Sequence, residues 1–390
     1  MDSFFIYWTA PDGTTQLAGE LQTVGGAGVQ RFSYDAAWLR SPGFALGEDL
    51  PAMPGAIFPP GGASEFGVFL DAGPDTWGRR ILSRKLTPPP RSTTQYIAAA
   101  ADESRQGALR FATQPDGPFL SDGGPEPLSS IESLYEEVRG FQSNHASPGE
   151  VARLLRAATS QGGLRPKASV RDDDGSIWIA KFPSEDDTYD VETCEAAALN
   201  VARTGGLAVP DFRLIRVNED RAILVIKRFD RTATGRFGYQ SMRTATRVGP
   251  YEELNYKMMA SAAGFHSGER GVLEIVARAA LNITVHNIDD HGRNIGLLQN
   301  GQGRWDVSPV FDVVPFPWEA EGTPLSSAVR DRSLDAVMGL DWGVPRSAVA
   351  ATVQRVSEAA QHVYTVARDE YGLDPETAEI AERFRSSVAR

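Results

Sequence analysis

Asn287-Ile288-Asp289-Asp290-His291-Gly292-Arg293-Asn294, followed further on by Phe311-Asp312, is the stretch on which the reading of this chain turns. Asp289 stands five residues before Asn294, after the apolar run Leu281-Asn282-Ile283-Thr284-Val285. A kinase catalytic loop keeps the same offset between an aspartate base and a metal-holding asparagine. The chemistry accounts for the pairing, since a carboxylate must accept the attacking hydroxyl's proton and an amide oxygen must hold magnesium. Magnesium takes hard oxygen ligands and leaves positions for phosphate oxygens and water. Asp290 lacks the offset, so Asp289 is the expected base.

A second carboxylate is expected from a hairpin. Ile295-Gly296-Leu297-Leu298 runs into Gln299-Asn300-Gly301-Gln302-Gly303 and returns through Arg304-Trp305-Asp306-Val307. Asn-Gly between apolar runs is a strong hairpin signal, and the returning strand carries Asp312 back toward Asn294. Asn294 and Asp312 are therefore the expected magnesium ligands. An isolated Asp-Asp-His is more often a solvated turn. Asp289, Asp290, His291 and Asp312 also suit a metallohydrolase, but no further histidine is spaced as a companion ligand.

A phosphoryl-transfer site needs a strand lysine for the nucleotide phosphates and a helix carboxylate to hold it. Ser176-Ile177-Trp178-Ile179-Ala180-Lys181-Phe182 supplies the lysine. In the helix expected from about Thr188 to Arg203, Glu195 lies about 40° from Val191 at 100° per residue, inside the apolar arc. An inward carboxylate requires a partner, and Lys181 is the expected one. The bland alternative makes Lys181 a surface strand residue and Glu195 a solvated one. Ser160-Gln161-Gly162-Gly163-Leu164-Arg165-Pro166-Lys167 is the candidate phosphate loop, because glycines let backbone N–H groups approach phosphate oxygens. It fits neither the Walker pattern nor G-x-G-x-x-G, and a helix C-cap followed by a turn is the alternative. Ser160, Gly162, Gly163 and Lys167 are accordingly expected around ATP, with His291 on the nucleotide side of the catalytic loop. Val225-Ile226-Lys227-Arg228-Phe229-Asp230-Arg231 sits where an interlobe hinge belongs, its alternative being a strand end capped by charges.

The remaining pattern frames these motifs. Phe4, Ile6 and Trp8 alternate before the turn Pro11-Asp12-Gly13, and Leu17 to Val24 returns as a strand. A loop leads through Pro74-Asp75-Thr76 into a helix that Pro88-Pro89-Pro90 ends. Ser129 to Phe141 is read as helix, and Ala168 to Val170, Ser176 to Phe182 and Ala222 to Phe229 as strands. Beyond Tyr251 the pattern is helical, over Tyr251 to Ala263, Gly271 to Val285 and a long apolar period from Arg346 to Tyr371. The expected class is α+β, a bilobal protein-kinase-like fold. Its expected parts are a β-rich N-terminal subdomain at 1–145, an ATP-binding N-lobe at 146–228 and a helical C-lobe at 229–390.

Composition narrows the function classes. The 390 residues are 41% hydrophobic and 23% charged, a globular balance. The formal net charge of -12 argues against direct hold on duplex DNA, which needs clustered Lys and Arg. Solubility alone also explains it. No apolar run approaches the roughly 20 residues of a membrane span, and the N-terminus lacks signal-peptide features. The single cysteine, Cys194, suits a reducing cytoplasm.

In this order the motifs resemble the HipA-like serine/threonine kinases of bacterial toxin–antitoxin systems. The resemblance rests on the stretches above together with Pro74 to Arg80, Asp102 to Phe111 and Arg228-Phe229-Asp230-Arg231. It implies that Asp289 is the catalytic base, Asn294 and Asp312 bind Mg2+, and Lys181 contacts ATP phosphates. It places Ser160 on the loop serine whose autophosphorylation silences the family's enzymes, and Lys227 and Phe229 at the adenine-side hinge. The family often carries Glu in place of Lys227, and Gly162-Gly163-Leu164-Arg165-Pro166 departs from its common Gly-Ala-Gln run. The implied partners are a HipB-like helix-turn-helix antitoxin, which alone binds DNA, and a protein substrate such as an aminoacyl-tRNA synthetase. A small-molecule phosphotransferase and a non-catalytic antitoxin-binding corepressor are the competing functions.

Overall fold

The computed structural model describes residues 2–25, 28–120, 123–157, 165–249, 252–316, 318 and 321–388. The chain forms two compact units that are discontinuous in sequence. The first holds Met1–Glu185, Lys227–Glu252 and Leu298–Arg304, and the second Asp186–Ile226, Glu253–Leu297 and Trp305–Arg390.

The first unit opens on a five-stranded sheet. Its strands are β1 (Ser3–Thr9), β2 (Thr15–Val24), β3 (Val29–Tyr34), β4 (Ala56–Ile57) and β5 (Leu109–Ala112), in the order β4-β3-β2-β1-β5. β1 is antiparallel to both β2 and β5, and its register slips at Ile6/Tyr7. Alternation puts Phe4, Ile6 and Trp8 in the core with Leu21, Phe32, Trp38 and Phe69. Each such side chain contributes about 1.5–3 kcal/mol by leaving water.

The expected helix after Pro74 is Thr76–Lys85, where the Asp75 carboxylate caps the first turn by accepting the Gly78 N–H at 2.6 Å. The expected helix at Ser129 to Phe141 is Ile131–Gln142. Next come β6 (Glu126–Pro127), β7 (Lys167–Arg171) and β8 (Ile177–Lys181), with β6 parallel and β8 antiparallel to β7.

In the second unit the helix Val191–Thr204 starts three residues later than Thr188, because Asp190 caps it by accepting the Thr193 N–H at 3.2 Å. β9 (Phe212–Arg216) and β10 (Ala222–Lys227) form an antiparallel pair. Helix then runs over Tyr256–Thr284, opened by an Asn255 cap and interrupted at Gly268, whose φ of 61° is not helical. The two helices expected there meet at this glycine. The long period from Arg346 divides into Arg346–Ala360 and Val363–Asp369. Val363, Tyr364 and Ala367 continue the buried face across the break, which is why periodicity alone reads one helix. Arg346–Ala360 packs on Tyr256–Thr284, and Val363–Asp369 on Val191–Thr204. No helix among the described residues is long and apolar enough to cross a membrane.

Candidate active site

The catalytic-loop candidate begins where the long helix of the second unit ends. His286 adopts φ 57°, and the N–H groups of His286 and Asn287 turn back to the carbonyls of Ile283 (3.2 Å) and Asn282 (2.8 Å). This left-handed C-terminal turn satisfies carbonyls the helix would otherwise leave open. It launches residues 287–294 as a loop.

The two adjacent aspartates then diverge. Asp290 is 1% exposed and serves as the loop's anchor. Its carboxylate accepts the Tyr256 hydroxyl at 2.5 Å, the Thr323 N–H at 2.7 Å and the Arg332 guanidinium at 3.0–3.1 Å. Arg332 also donates to the Asn287 carbonyl at 2.9 Å. The Asn287 amide donates to Asn282, whose own amide donates to the Tyr256 oxygen. Burial and the neighbouring Asp290 carboxylate push the Tyr256 phenol well above its ordinary range, so it remains a hydrogen-bond donor. A carboxylate so enclosed has no open face for chemistry.

Asp289 is the opposite case, with a side chain 63% exposed. Its backbone is held at two points. Its N–H donates to the Asn287 side chain at 3.2 Å, and its carbonyl accepts the Asn294 side-chain amide at 2.7 Å. Because the Asn294 nitrogen is committed to that carbonyl, the amide flip is assigned and Oδ1 is the atom left for other ligands. Asn294 is itself buried, its N–H on the His291 carbonyl at 2.8 Å. His291 accepts the Arg293 N–H at Nδ1, 3.3 Å, which assigns the neutral ring's proton to Nε2, and that atom lies 3.6 Å from the Asp289 carboxylate.

The expected hairpin is present as strands Gly296–Gln299 and Trp305–Val307, and the Ser308 N–H closes on the Gly296 carbonyl at 2.8 Å. Beyond it Asp312 sits at φ 58°, a left-handed conformation uncommon outside glycine, asparagine and aspartate. Its N–H donates to the buried Glu195 carboxylate at 3.2 Å, so Glu195 supports the backbone of the second candidate metal ligand. Glu195 was expected to face inward for Lys181, and the Asp312 contact is a role that helix periodicity does not reveal.

The remaining candidates lie in the first unit. Lys167 and Lys181 stand directly opposite in the β7–β8 pair, so both side chains leave the same face. Both are buried, and Lys167 pairs with the buried Asp75 carboxylate at 3.2 Å. Lys227 places its ammonium 5.8 Å from the Trp178 ring, and Phe229 is half-buried. Ser160, Gly162 and Gly163 lie outside the described residues.

Among the described residues no three His, Cys, Asp or Glu side chains converge as a metal site. A magnesium held with nucleotide phosphates needs one or two protein oxygens, and the Asn294 amide oxygen and Asp312 carboxylate are hard donors of that kind. Tyr256, Asn282 and Arg332 were not anticipated, and no local spacing signals them.

The profile of the HipA-like C-terminal domain matches residues 159–364. No curated protein matches the chain. Among solved structures, the chain is similar to HipA of Shewanella oneidensis MR-1, solved with HipB and operator DNA. The TM-score is 0.71 at 17% identity, over 99% of this chain and 96% of that one. It is similar at lower level to the Helicobacter pylori proinflammatory kinase CtkA, with TM-score 0.46 and 12% identity over 58% of this chain and 89% of that one. The likeness to the Shewanella protein shows a shared fold.

Proposed function

The chain belongs to the family defined by the HipA-like C-terminal domain, and from that membership we propose that it is an ATP- and magnesium-dependent serine/threonine protein kinase. The observation that carries the proposal is the division of labour between Asp289 and Asp290. The carboxylate five residues before Asn294 is exposed, and its neighbour is buried and locked into the fold.

In this mechanism the Asp289 carboxylate orients a Ser or Thr hydroxyl of the acceptor and takes its proton as the oxygen–phosphorus bond forms. The bond from the γ-phosphorus to the ADP oxygen breaks in the same displacement. The His291 Nε2–H steers the open carboxylate, and the Asn294 amide fixes the backbone that carries it. Asn294 Oδ1 and the Asp312 carboxylate would hold magnesium, which neutralises charge on the phosphates when bound. Lys181 contacts the phosphates, with Lys227 and Phe229 at the adenine side. Ser160 is the site of silencing autophosphorylation.

The proposal extends to partners. The solved Shewanella HipA is in complex with HipB and operator DNA, and a HipB-like helix-turn-helix antitoxin is the proposed neutralising partner here. A net charge of -12 fits DNA association through that partner rather than directly. The proposed setting is the bacterial cytoplasm and the proposed acceptor a protein of the translation machinery.

Incubating the purified chain with γ-labelled ATP, magnesium and bacterial lysate tests this. Label is expected on Ser or Thr of a discrete protein. Label confined to small molecules would overturn the protein-kinase assignment, and ATP turnover absent under all acceptors would overturn the kinase.

A further inference from the structure

Asp102 to Phe111 and Arg228 to Arg231 have no task in the proposed phosphoryl transfer, yet they meet in the first unit. β10 ends at Lys227, and burial then alternates along the chain. Arg228 and Asp230 are 3% and 0% exposed, whereas Lys227, Phe229 and Arg231 are half-buried. Phe229, one of the two proposed adenine-side residues, therefore stands between two inward charges, and Lys227 adjoins one of them.

Those charges form one closed set. The Arg228 guanidinium donates to both Asp230 carboxylate oxygens, at 2.8 and 2.6 Å. Arg231 donates to the same carboxylate at 2.7 Å, and so does the Gly107 N–H at 2.8 Å. Further guanidinium donors reach main-chain carbonyls of the facing segment. Arg228 reaches those of Ser104 (2.7 Å) and Arg105 (3.0 Å), and Arg231 those of Glu103 (3.1 Å) and Arg105. The main chain is tied as well, with the Arg228 N–H on the Ile177 carbonyl at 2.9 Å and the Phe237 N–H on the Asp230 carbonyl at 3.0 Å. Burial alone would raise the Asp230 carboxyl, but Arg228 and Arg231 hold it well below the ordinary carboxylate range, so it is ionised at neutral pH. Gly107 is required opposite it, since its φ is 76° and a β-carbon would lie 3.2 Å from the Tyr239 main-chain nitrogen.

A strand end merely capped by charges keeps them in solvent. Here they are buried and closed on one facing segment, a task that suits arginine because its planar fork serves several acceptors at once. Backbone fixed before binding lowers the ordering cost of a ligand. We propose that Asp230, with Arg228, Arg231 and Gly107, is a positioning device for the nucleobase, holding Lys227 and Phe229 where the adenine side of ATP is read. The inference rests on the adenine-side reading of those two residues and extends it to groups inside the fold.

Calorimetric titration of the full chain in magnesium buffer, with ATP and with inorganic tripolyphosphate, tests it, because tripolyphosphate offers the phosphates without the base. The wild type is expected to bind ATP more tightly than tripolyphosphate. Arg231→Lys keeps the charge beside Asp230 and gives up the fork, and Gly107→Ala displaces the facing segment. Each should weaken ATP binding about tenfold and leave tripolyphosphate within about twofold of the wild type. Circular dichroism checks the fold, and Arg231→Lys carries the test alone if Gly107→Ala does not fold. ATP binding that Arg231→Lys leaves unchanged, or equal weakening of both ligands, would overturn the inference. A wild type that prefers neither ligand would instead overturn the adenine-side reading, and the inference with it.

Discussion

Asn294 and Asp289 are joined by a 2.7 Å hydrogen bond from the side-chain amide of the first to the main-chain carbonyl of the second. The five-residue spacing is thus a geometric device. It closes the loop while the Asp289 carboxylate stays exposed, and it leaves the amide oxygen as the atom for other ligands. Asn294→Ala removes both functions. It should lower phosphotransfer by about 100-fold through misplacement of the loop and cost about 1–3 kcal/mol of stability. Urea unfolding beside a turnover assay separates the two losses.

Asp290 and Asp289 should respond in opposite ways to truncation. Asp290→Ala strands the buried Tyr256 and the half-buried Arg332, a loss of about 3–5 kcal/mol. Asp289→Ala removes an exposed carboxylate and should stay within about 0.5 kcal/mol of the wild type while abolishing turnover. Denaturant midpoints for the pair decide it.

Glu195 supports Asp312 through a backbone N–H, for which a neutral oxygen suffices. Glu195→Gln should therefore keep much of the magnesium dependence, and Glu195→Ala should raise the magnesium concentration needed for half-maximal turnover. Equal loss in both variants would assign Glu195 a charge role, such as holding Lys181.

Asp49 gives a pH signature. Burial pushes its carboxyl up to about 7, with the Asp71 charge adding and the Gly67 and Val68 N–H groups opposing. Between about pH 4 and that value the folded chain keeps a proton that the unfolded chain has released. Its contribution to stability is therefore largest below pH 4 and falls as pH rises toward 7. Asp49→Asn removes this slope, and its gain relative to wild type should grow between pH 5 and pH 8, on the order of 4 kcal/mol in full. Thermal unfolding of both proteins across that range measures it.

What the sequence makes legible follows the range of the interactions. Asp289, Asn294 and the Asn300-Gly301 hairpin are local, and their spacing carries their geometry. Glu195 was legible as inward-facing because helix periodicity places side chains, but periodicity is silent on which group meets it. The Asp290 anchor depends on Arg332, 42 residues away, and Lys167 pairs with Asp75 across 92 residues. No spacing rule reaches those pairs. The same limit applies to the discontinuous units, since a chain that crosses between them several times leaves no compositional mark at each crossing.

The most direct test of the central claim compares wild-type and Asp289→Asn proteins with γ-labelled ATP, magnesium and lysate, with ATP binding measured in parallel. The variant is expected to bind ATP as the wild type does and to transfer no label. Undiminished transfer by Asp289→Asn would contradict the account.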